Sequence, residues 1–214
     1  MRLGILGGTF DPIHYGHLRI AEEVCEDLGL EKVLLIPGAA PPHKGKKRIS
    51  PFIDRFTMTM MAAQGSPLLE ALDLEGRRHG LSYSIDTLKE VRRLFGPDLE
   101  LFFIIGMDAF LDIKTWKRYD DLFKEANFVV IKRPGVPDKD FGPLVLSMDL
   151  GFQPGEEVNS YYLPSWGHSI VYKELTLLEI SSTRIRELAA CGKSIRFLAP
   201  ESVRSYIVEK GLYL

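Results

Sequence analysis

Cysteine is nearly absent from this sequence of 214 residues, in which only Cys25 and Cys191 occur, far apart and without CxxC spacing. Their scarcity excludes a disulfide framework and a zinc ribbon, and it is typical of proteins of a reducing cytosol. No apolar run reaches the ~20 residues of a membrane span, and no signal-peptide core follows the first residue. We therefore expect a cytoplasmic protein without a membrane partner.

An excess of charge of one sign is also lacking, since 27 Lys and Arg stand against 29 Asp and Glu, a formal net charge of −2. Proteins that bind nucleic acid regardless of its sequence normally carry a basic field, so we expect no nucleic-acid partner. Hydrophobic residues make up 45% and charged residues 26%, as in soluble globular proteins. The length supports a sizeable core, and one domain over 1–214 is expected.

Short apolar runs alternate along the chain with segments of helical period. This alternation predicts an α/β fold of Rossmann-like type: a doubly wound, mainly parallel sheet with helices on both faces. The Pro- and Gly-rich stretch 134–167 breaks the rhythm and is interpreted as an irregular insert or long loop. A C-terminal helical part is expected over 181–214. Strands are predicted at 2–8, 32–37, 68–75, 99–106, 127–134 and 168–175, and helices at 17–28, 50–63, 84–97, from 181, and at 200–210.

Capping residues mark two of these helices. Ser50 is interpreted as the cap of the second helix with Pro51 at its first position. Ser84 or Asp86 is interpreted as the cap of the third, which Gly96-Pro97 ends.

The stretch GGTFDPIHYGH, residues 7–17, directly follows the first predicted strand. Gly7 and Gly8 allow the backbone to pass close to a ligand, because no side chain is in the way. A helix that starts near His17 directs unsatisfied N–H groups and a partial positive charge to the same place. His14 and His17 could donate hydrogen bonds to phosphate oxygens there. The pattern therefore indicates an anion site.

Three other interpretations of this stretch are a dinucleotide or P-loop site, a metal site and a purely structural loop. The dinucleotide fingerprint GxGxxG does not fit it, and the P-loop pattern GxxxxGK[ST] occurs nowhere in the chain. His14, His17 and one Asp could hold a metal, although their spacing matches no common zinc pattern. The two histidines could also be satisfied within a loop. The anion site is the favoured interpretation.

Two signatures carry a resemblance to a known family. GGTFDPIHYGH matches the GxFxPxHxGH signature of nucleotidyltransferases, and ISSTRIRE (180–187) matches their second signature, ISSTxIR. Further stretches narrow the match: PPHK (41–44), SYSIDTL (82–88), GMDAFLDIKTWKRYDDL (106–122) and YIVEKGLY (206–213). Over nearly its full length the chain resembles the bacterial nicotinate-nucleotide adenylyltransferases, least well in 134–167.

Other members of the superfamily and other classes are less similar. Pantetheine-phosphate adenylyltransferases carry Thr at the place of His14, and cytidylyltransferases a different second signature. Class I aminoacyl-tRNA synthetases are much longer and have a KMSKS-type loop that this chain lacks. A dehydrogenase or a non-catalytic nucleotide-binding module would need the dinucleotide fingerprint.

The resemblance implies adenylyl transfer from ATP to nicotinate mononucleotide, giving nicotinate adenine dinucleotide and pyrophosphate without a covalent intermediate. It implies Mg²⁺ carried by the ATP phosphates, with no protein ligand to the metal, and it leaves the oligomeric state open. His14 and His17 are the implied catalytic residues. The implied ATP-binding residues are Gly7, Gly8, Thr9, Phe10, Gly106, Asp108, Ser181, Ser182, Thr183 and Arg186.

The acceptor side is implied by resemblance in the same way. Trp116 is expected to stack on the pyridine ring, and backbone groups around Ser84, Ile85 and Lys117 to receive the nicotinate carboxylate. The chain has Ser84 where the family more often has Thr, which keeps the hydroxyl. The implied residues for nicotinate mononucleotide are His43, Lys44, Ser84, Ile85, Thr87, Trp116, Lys117 and Arg133.

Overall fold

The computed structural model describes residues 1–39, 49–78, 80–133, 135 and 140–214. Its strands form an eight-stranded sheet in the order β3-β2-β1-β4-β5-β8-β7-β6. The predicted α/β fold with a mainly parallel sheet is confirmed. The strands are β1 (Arg2–Gly8), β2 (Lys32–Pro37), β3 (Leu69–Ala71), β4 (Glu100–Gly106), β5 (Asn127–Ile131), β6 (Gln153–Pro154), β7 (Ser160–Leu163) and β8 (His168–Lys173).

Eight α-helices lie in the described part of the chain, together with a 3₁₀ turn at Ile113–Thr115. The helices are α1 (Tyr15–Asp27), α2 (Phe52–Ala63), α3 (Ser84–Phe95), α4 (Met107–Leu111), α5 (Tyr119–Glu125), α6 (Phe141–Leu146), α7 (Ser182–Ala190) and α8 (Glu201–Glu209). None of the described helices is long and apolar enough to cross a membrane.

The chain divides into two compact units, and β1 contributes to both. The first unit comprises Met1–Ile5 and Tyr83–Leu175; the second comprises Leu6–Ser82 and Thr176–Leu214. The single domain expected over 1–214 stays a prediction.

In the second unit, β2 pairs with β3 in parallel, and Val33 to Ile36 are all buried. This continuous burial explains why β2 reads as an unbroken apolar run, since a parallel strand is covered on both faces. Helix α2 packs on β2, β3 and α8, and α1 packs on β2. The buried side of α1, which includes Ile20, Ala21, Val24 and Cys25, repeats at the helical period.

In the first unit, β4, β5 and β8 pair in parallel, and β8, β7 and β6 continue as antiparallel neighbours. The core is rich in aromatic rings, with Phe128 packed against Phe103 and Phe123. Helix α3 packs on α5, and α4 packs on β4, β5 and α6. The described part of 134–167 therefore holds α6, β6 and β7, so the expected irregular insert or long loop is wrong there.

Three local predictions also differ from the structure. Strand β3 covers only three residues of the predicted 68–75, because the chain turns at 74–77. Pro51, not Ser50, stands at the N-cap of α2, and Ser50 makes other bonds that are described below. Tyr83 stands at the N-cap of α3, so neither Ser84 nor Asp86 caps it. Gly96, with φ of 92°, ends α3 as expected.

Candidate active site

The two histidines of the opening motif lie at the start of α1 in the second unit. Helix α1 begins at Tyr15, two residues before the predicted start, so His14 occupies its N-cap and His17 its first turn. Their rings stack with centroids 3.7 Å apart, and the rings of His17 and Phe10 make a T-shaped contact with centroids 5.0 Å apart. His14 is only 5% exposed. Two imidazoles this close repel each other when both are protonated, which an adjacent anion would relieve.

Some of the helix N–H groups expected to face a ligand already have partners. The Tyr15 N–H donates to the Leu198 carbonyl at 3.1 Å, and the His17 N–H donates to the His14 carbonyl at 2.9 Å. The N–H groups of these two residues therefore do not face an anion in this structure. The histidine rings, not the backbone of Tyr15 and His17, are the donors that the start of α1 offers.

The two glycines before the histidines have different surroundings. A Cβ on Gly8 would lie 2.7 Å from Cε1 of Phe10, whereas a Cβ on Gly7 would meet no heavy atom of the described residues within 4 Å. Phe10 is buried and has φ of 48°, a left-handed conformation that few non-glycine residues adopt. Gly8 is therefore required by the Phe10 ring, and Gly7 is the glycine that leaves space beside the backbone.

The second signature lies at the start of α7, in the same unit. It contacts the loop 9–14 between β1 and α1, here called the histidine loop. Ser181 is the N-cap, and its side chain accepts a hydrogen bond from the Arg184 N–H. The Ser182 hydroxyl donates to the Pro12 carbonyl at 2.8 Å. Arg186 donates from Nη1 to the Asp11 carbonyl at 2.7 Å and from Nη2 to the Thr183 hydroxyl at 3.3 Å. The structure thus brings the two signatures together.

Arg55 was not among the predicted site residues, yet it is the most extensively bonded side chain near the histidine loop. It lies on α2, is 1% exposed, and donates to the carbonyls of Thr9 and Gly38 at 2.7 Å each. It also donates to the carbonyls of Ser50 at 3.0 Å and Ala39 at 3.3 Å. Burial lowers the pKa of this guanidinium, while the nearby charge of Asp11 opposes that effect.

A signal for Arg55 is present in the sequence. It falls on the helical stripe formed with Met58, Thr59 and Ala62, which is the buried face of α2. A cation on an otherwise apolar stripe must be bonded to something, because a buried charge is costly without partners.

In the first unit, Gly106 ends β4 and the chain turns directly into α4, which carries Asp108. Nε of Arg133 lies 3.5 Å from Oδ1 of Asp108. A Cβ on Gly106 would lie 2.5 Å from that carboxylate oxygen and 2.7 Å from Nε of Arg133. Position 106 therefore requires glycine, because Asp108 and Arg133 occupy the space that a Cβ would need. Arg133, expected on the acceptor side, lies beside Asp108, which is expected on the ATP side.

The acceptor-side residues also lie in the first unit, around α3 and the turn before α5. Trp116 is half-buried, and its ring meets the Phe103 ring edge-on at 6.4 Å. Lys117 is exposed and has two partners: Oδ2 of Asp86 at 3.3 Å, and the Tyr83 ring, whose centroid lies 4.2 Å from Nζ. Tyr83 and Asp86 were not predicted as site residues, although both belong to the quoted SYSIDTL stretch.

The remaining predicted residues of α3 differ in exposure. Ser84 is half-buried, whereas the side chains of Ile85 and Thr87 are buried in the core. The Thr87 hydroxyl donates to the Tyr83 carbonyl at 3.4 Å. Only backbone groups of Ile85 could therefore serve a ligand, as expected. His43 and Lys44 lie outside the described residues.

Comparison with known proteins identifies the family. The cytidylyltransferase-like family model matches residues 5–188. Two relatives, from Geobacter metallireducens and Desulfatibacillum aliphaticivorans, are 45% and 46% identical to the chain, of which they cover 100%; both are named "probable nicotinate-nucleotide adenylyltransferase". The chain covers 98% and 100% of these relatives. It belongs to the nicotinate-nucleotide adenylyltransferase family.

Membership of this family confirms the predicted enzyme class, a nucleotidyltransferase. Among solved structures, the chain is similar to the Plasmodium falciparum nicotinic acid mononucleotide adenylyltransferase complexed with NaAD, with a TM-score of 0.74 and 20% identity. That match covers 99% of this chain and 97% of the other. A structure of the same enzyme complexed with APC gives a TM-score of 0.73. At this identity the match shows the fold, and the Rossmann-like prediction is confirmed.

Clusters of metal-ligating side chains are absent from the described part of the chain. Across 1–39, 49–78, 80–133, 135 and 140–214, no three His, Cys, Asp or Glu side chains group as metal ligands would.

Proposed function

We propose that this protein transfers the adenylyl group of ATP to nicotinate mononucleotide and releases pyrophosphate. The observation that carries the proposal is the bonding of the two signatures in the second unit. Arg186 and Ser182 of α7 donate to the carbonyls of Asp11 and Pro12, which lie three and two residues before His14. The full-length similarity to relatives named for this activity supports the choice of acceptor.

The chemistry needs no protein nucleophile. A phosphate oxygen of nicotinate mononucleotide attacks the α-phosphorus of ATP and forms a new P–O bond. The bond from the α-phosphorus to the oxygen that bridges to the β-phosphorus breaks, and its electron pair leaves with pyrophosphate. The protein must hold two anions in line and stabilise the negative charge that develops on the leaving group.

The residues of the second unit are suited to the ATP phosphates. His14 and His17 present two imidazoles at the start of α1, and the space beside Gly7 allows a ligand near the backbone. Ser181, Ser182, Thr183 and Arg186 gather hydroxyls and a guanidinium at the start of α7, which favours an anion. Arg186 already donates from Nη1 to the Asp11 carbonyl and from Nη2 to the Thr183 hydroxyl. To bind a phosphate, it would share these donors or exchange one of these bonds for a bond to the phosphate.

The residues of the first unit are proposed to bind the ribose of ATP and the acceptor. Asp108, with Arg133 beside it, would accept hydrogen bonds from ribose hydroxyls. Trp116 is half-buried and packs against Phe103 in a T-shaped contact, and a partly exposed aromatic of this kind could stack on a pyridine ring. Backbone groups around Ser84, Ile85 and Lys117 would receive the nicotinate carboxylate.

Mg²⁺ would enter with ATP, held by its phosphate oxygens and water. This ion keeps several of its waters and is commonly bound through substrate phosphates. Its charge would lessen the repulsion between the two anionic substrates. No step in the proposed reaction depends on a protein ligand to the metal.

Release of pyrophosphate from ATP and Mg²⁺ tests the proposal. We expect release with nicotinate mononucleotide well above that with the nicotinamide form. Phosphopantetheine in a parallel reaction is the control for another acceptor. Release with phosphopantetheine alone would keep adenylyl transfer and overturn the acceptor, and no release with any of the three would overturn the proposed function.

A further inference from the structure

The carboxylate of Asp11 lies in the histidine loop and has no role in the proposed reaction. Asp11 is 4% exposed, and a buried carboxylate requires donors because it has lost its water. Oδ1 accepts from the Tyr213 hydroxyl at 2.8 Å, and Oδ2 accepts from the Ser50 N–H at 3.2 Å. Asp11 thus links three distant segments of the second unit.

Backbone carbonyls of the histidine loop also accept hydrogen bonds from other segments of the second unit. Arg55 binds the Thr9 carbonyl, Arg186 the Asp11 carbonyl and Ser182 the Pro12 carbonyl. Every one of these bonds falls within the four residues 9–12, which lead directly to His14. Among the side-chain hydrogen bonds of the described residues, only the one from Tyr213 to the Asp11 carboxylate joins the segment after α8 to residues 9–12.

Tyr213 is well suited to a permanent donor role. Burial, with the nearby negative charge of Asp11, raises the pKa of Tyr213 far above its usual range, so its hydroxyl keeps its proton at every physiological pH. Its backbone has φ of 69°, a left-handed conformation that a non-glycine residue adopts only when its surroundings hold it there. Phe10, next to Asp11, is in the same region, with φ of 48°.

We propose that Tyr213 is a positioning residue that acts through Asp11 to hold the histidine loop in place for phosphate binding. The inference rests on the proposed function only for its kinetic consequence. Its structural consequence, an ordered loop at residues 9–14, holds for the protein without substrate. Preorganised donors are effective because they need no rearrangement as charge develops, so a looser loop would slow the reaction more than it weakens ATP binding.

The chain offers a matched control in the same unit. The Tyr206 hydroxyl of α8 donates to Oδ1 of Asp54 on α2, also at 2.8 Å. Tyr206→Phe and Tyr213→Phe each remove one phenol donor from one aspartate. Asp54 lies in the first turn of α2 and not in the histidine loop. A purely structural role for Tyr213 would make the two variants behave alike.

Hydrogen–deuterium exchange of the peptide that covers 7–18, measured without substrate, is the first readout. We expect Tyr213→Phe to raise its exchange and Tyr206→Phe to leave it at the wild-type level. The second readout is pyrophosphate release well below the melting temperature. We expect kcat to fall on the order of tenfold to a hundredfold in Tyr213→Phe, with a smaller change in KM for ATP.

Equal exchange in 7–18 and kcat within about twofold of wild type in Tyr213→Phe would overturn the proposal and leave the bond a structural one. If Tyr213→Phe does not fold, the same two readouts on Asp11→Asn, which loses the carboxylate charge and one acceptor, decide the question in the same way. If the wild-type protein releases no pyrophosphate, the proposed function fails, and the exchange experiment still tests the positioning role.

Discussion

At the scale of single residues, the surroundings of a side chain decide its role more than its type does. Gly7 and Gly8 are adjacent, yet a Cβ on Gly8 would lie 2.7 Å from Cε1 of Phe10, and one on Gly7 would meet nothing within 4 Å among the described residues. The first is a packing glycine and the second leaves space for a ligand. Substituting each by alanine separates these two roles.

We expect Gly8→Ala to lower the free energy of unfolding by about 1–3 kcal/mol, the usual cost of overpacking, because the buried Phe10 ring must move. Gly7→Ala should leave stability within about 0.5 kcal/mol and raise the KM for ATP. Urea unfolding and steady-state kinetics measure both. Equal stability of the two variants would contradict the assignment of Gly8 to packing.

The ring of His17 gives a second prediction at this scale. His17→Ala should lower kcat on the order of 10²–10³-fold, the loss typical of one preorganised donor. His168→Asn is the control, since His168 lies on β8 outside the proposed site. Steady-state pyrophosphate release is the measurement. A loss below about tenfold in His17→Ala would assign His17 a structural role, consistent with its stacking on His14 and Phe10.

At the scale of elements, one side chain of α2 binds the residues that directly follow two strands. Arg55 donates to carbonyls after β1, at Thr9, and after β2, at Gly38 and Ala39. Loops are usually the mobile part of a Rossmann-like fold, and ligands bind where they follow the strands. A buried guanidinium that bonds the carbonyls of Thr9, Gly38 and Ala39 anchors both chain segments to α2.

We expect Arg55→Met to lower the free energy of unfolding by about 3–5 kcal/mol, because it leaves buried carbonyls and the Asp11 carboxylate without their cation. Arg93→Met, which replaces an exposed arginine of α3, should change it by no more than about 0.5 kcal/mol. Chemical unfolding of both variants is the measurement. A loss under about 1 kcal/mol in Arg55→Met would show that the loops do not depend on the guanidinium.

The sequence predicts the elements well where one local pattern decides them. Continuous apolar runs indicated β1, β2, β4 and β5, and both signatures lie at the starts of helices. The hairpin of β6 and β7 was missed, because its strands, Gln153–Pro154 and Ser160–Leu163, are too short to show an alternating pattern. Its pairing depends on β8, which lies beyond it in the chain.

The candidate site shows the same limit. Motifs indicated His14, His17 and Arg186, and the buried stripe of α2 could have indicated Arg55. Nothing local indicates the bond between Asp11 and Tyr213, which are 202 residues apart and meet only in the folded chain. The contrast between Gly7 and Gly8 likewise depends on where the Phe10 ring lies, which the motif does not fix.

At the scale of the whole molecule, acid is expected to destabilise the fold through groups whose pKa is lowered by folding. His168 is one such group. Burial lowers its pKa below the usual 6.5, the hydrogen bond of Nδ1 to the Phe123 carbonyl at 3.0 Å opposes this in part, and the charge of Arg92 adds to the lowering. For Glu23, burial raises the pKa, but hydrogen bonds from Thr176 and Arg19 outweigh it and leave it below 4.5.

The sign of the effect follows from proton uptake. Below pH 6.5 the unfolded chain protonates His168 before the folded protein does, so acid favours unfolding, by at most about 1.4 kcal/mol per pH unit for this one proton. The contribution is fully present above pH 6.5 and is lost as the pH falls towards the folded value. Glu23 adds a similar loss only below pH 4.5.

His168→Asn isolates the contribution of His168 to the acid sensitivity of the protein. An amide can keep a donor for the Phe123 carbonyl and does not titrate. We expect the melting temperature of the wild-type protein to fall between pH 6.5 and 5, and that of His168→Asn to fall less steeply over the same range. Glu23→Gln should match the wild-type slope above pH 4.5 and differ below it. Parallel wild-type and His168→Asn curves from pH 7 to 5 would assign the acid sensitivity to other groups.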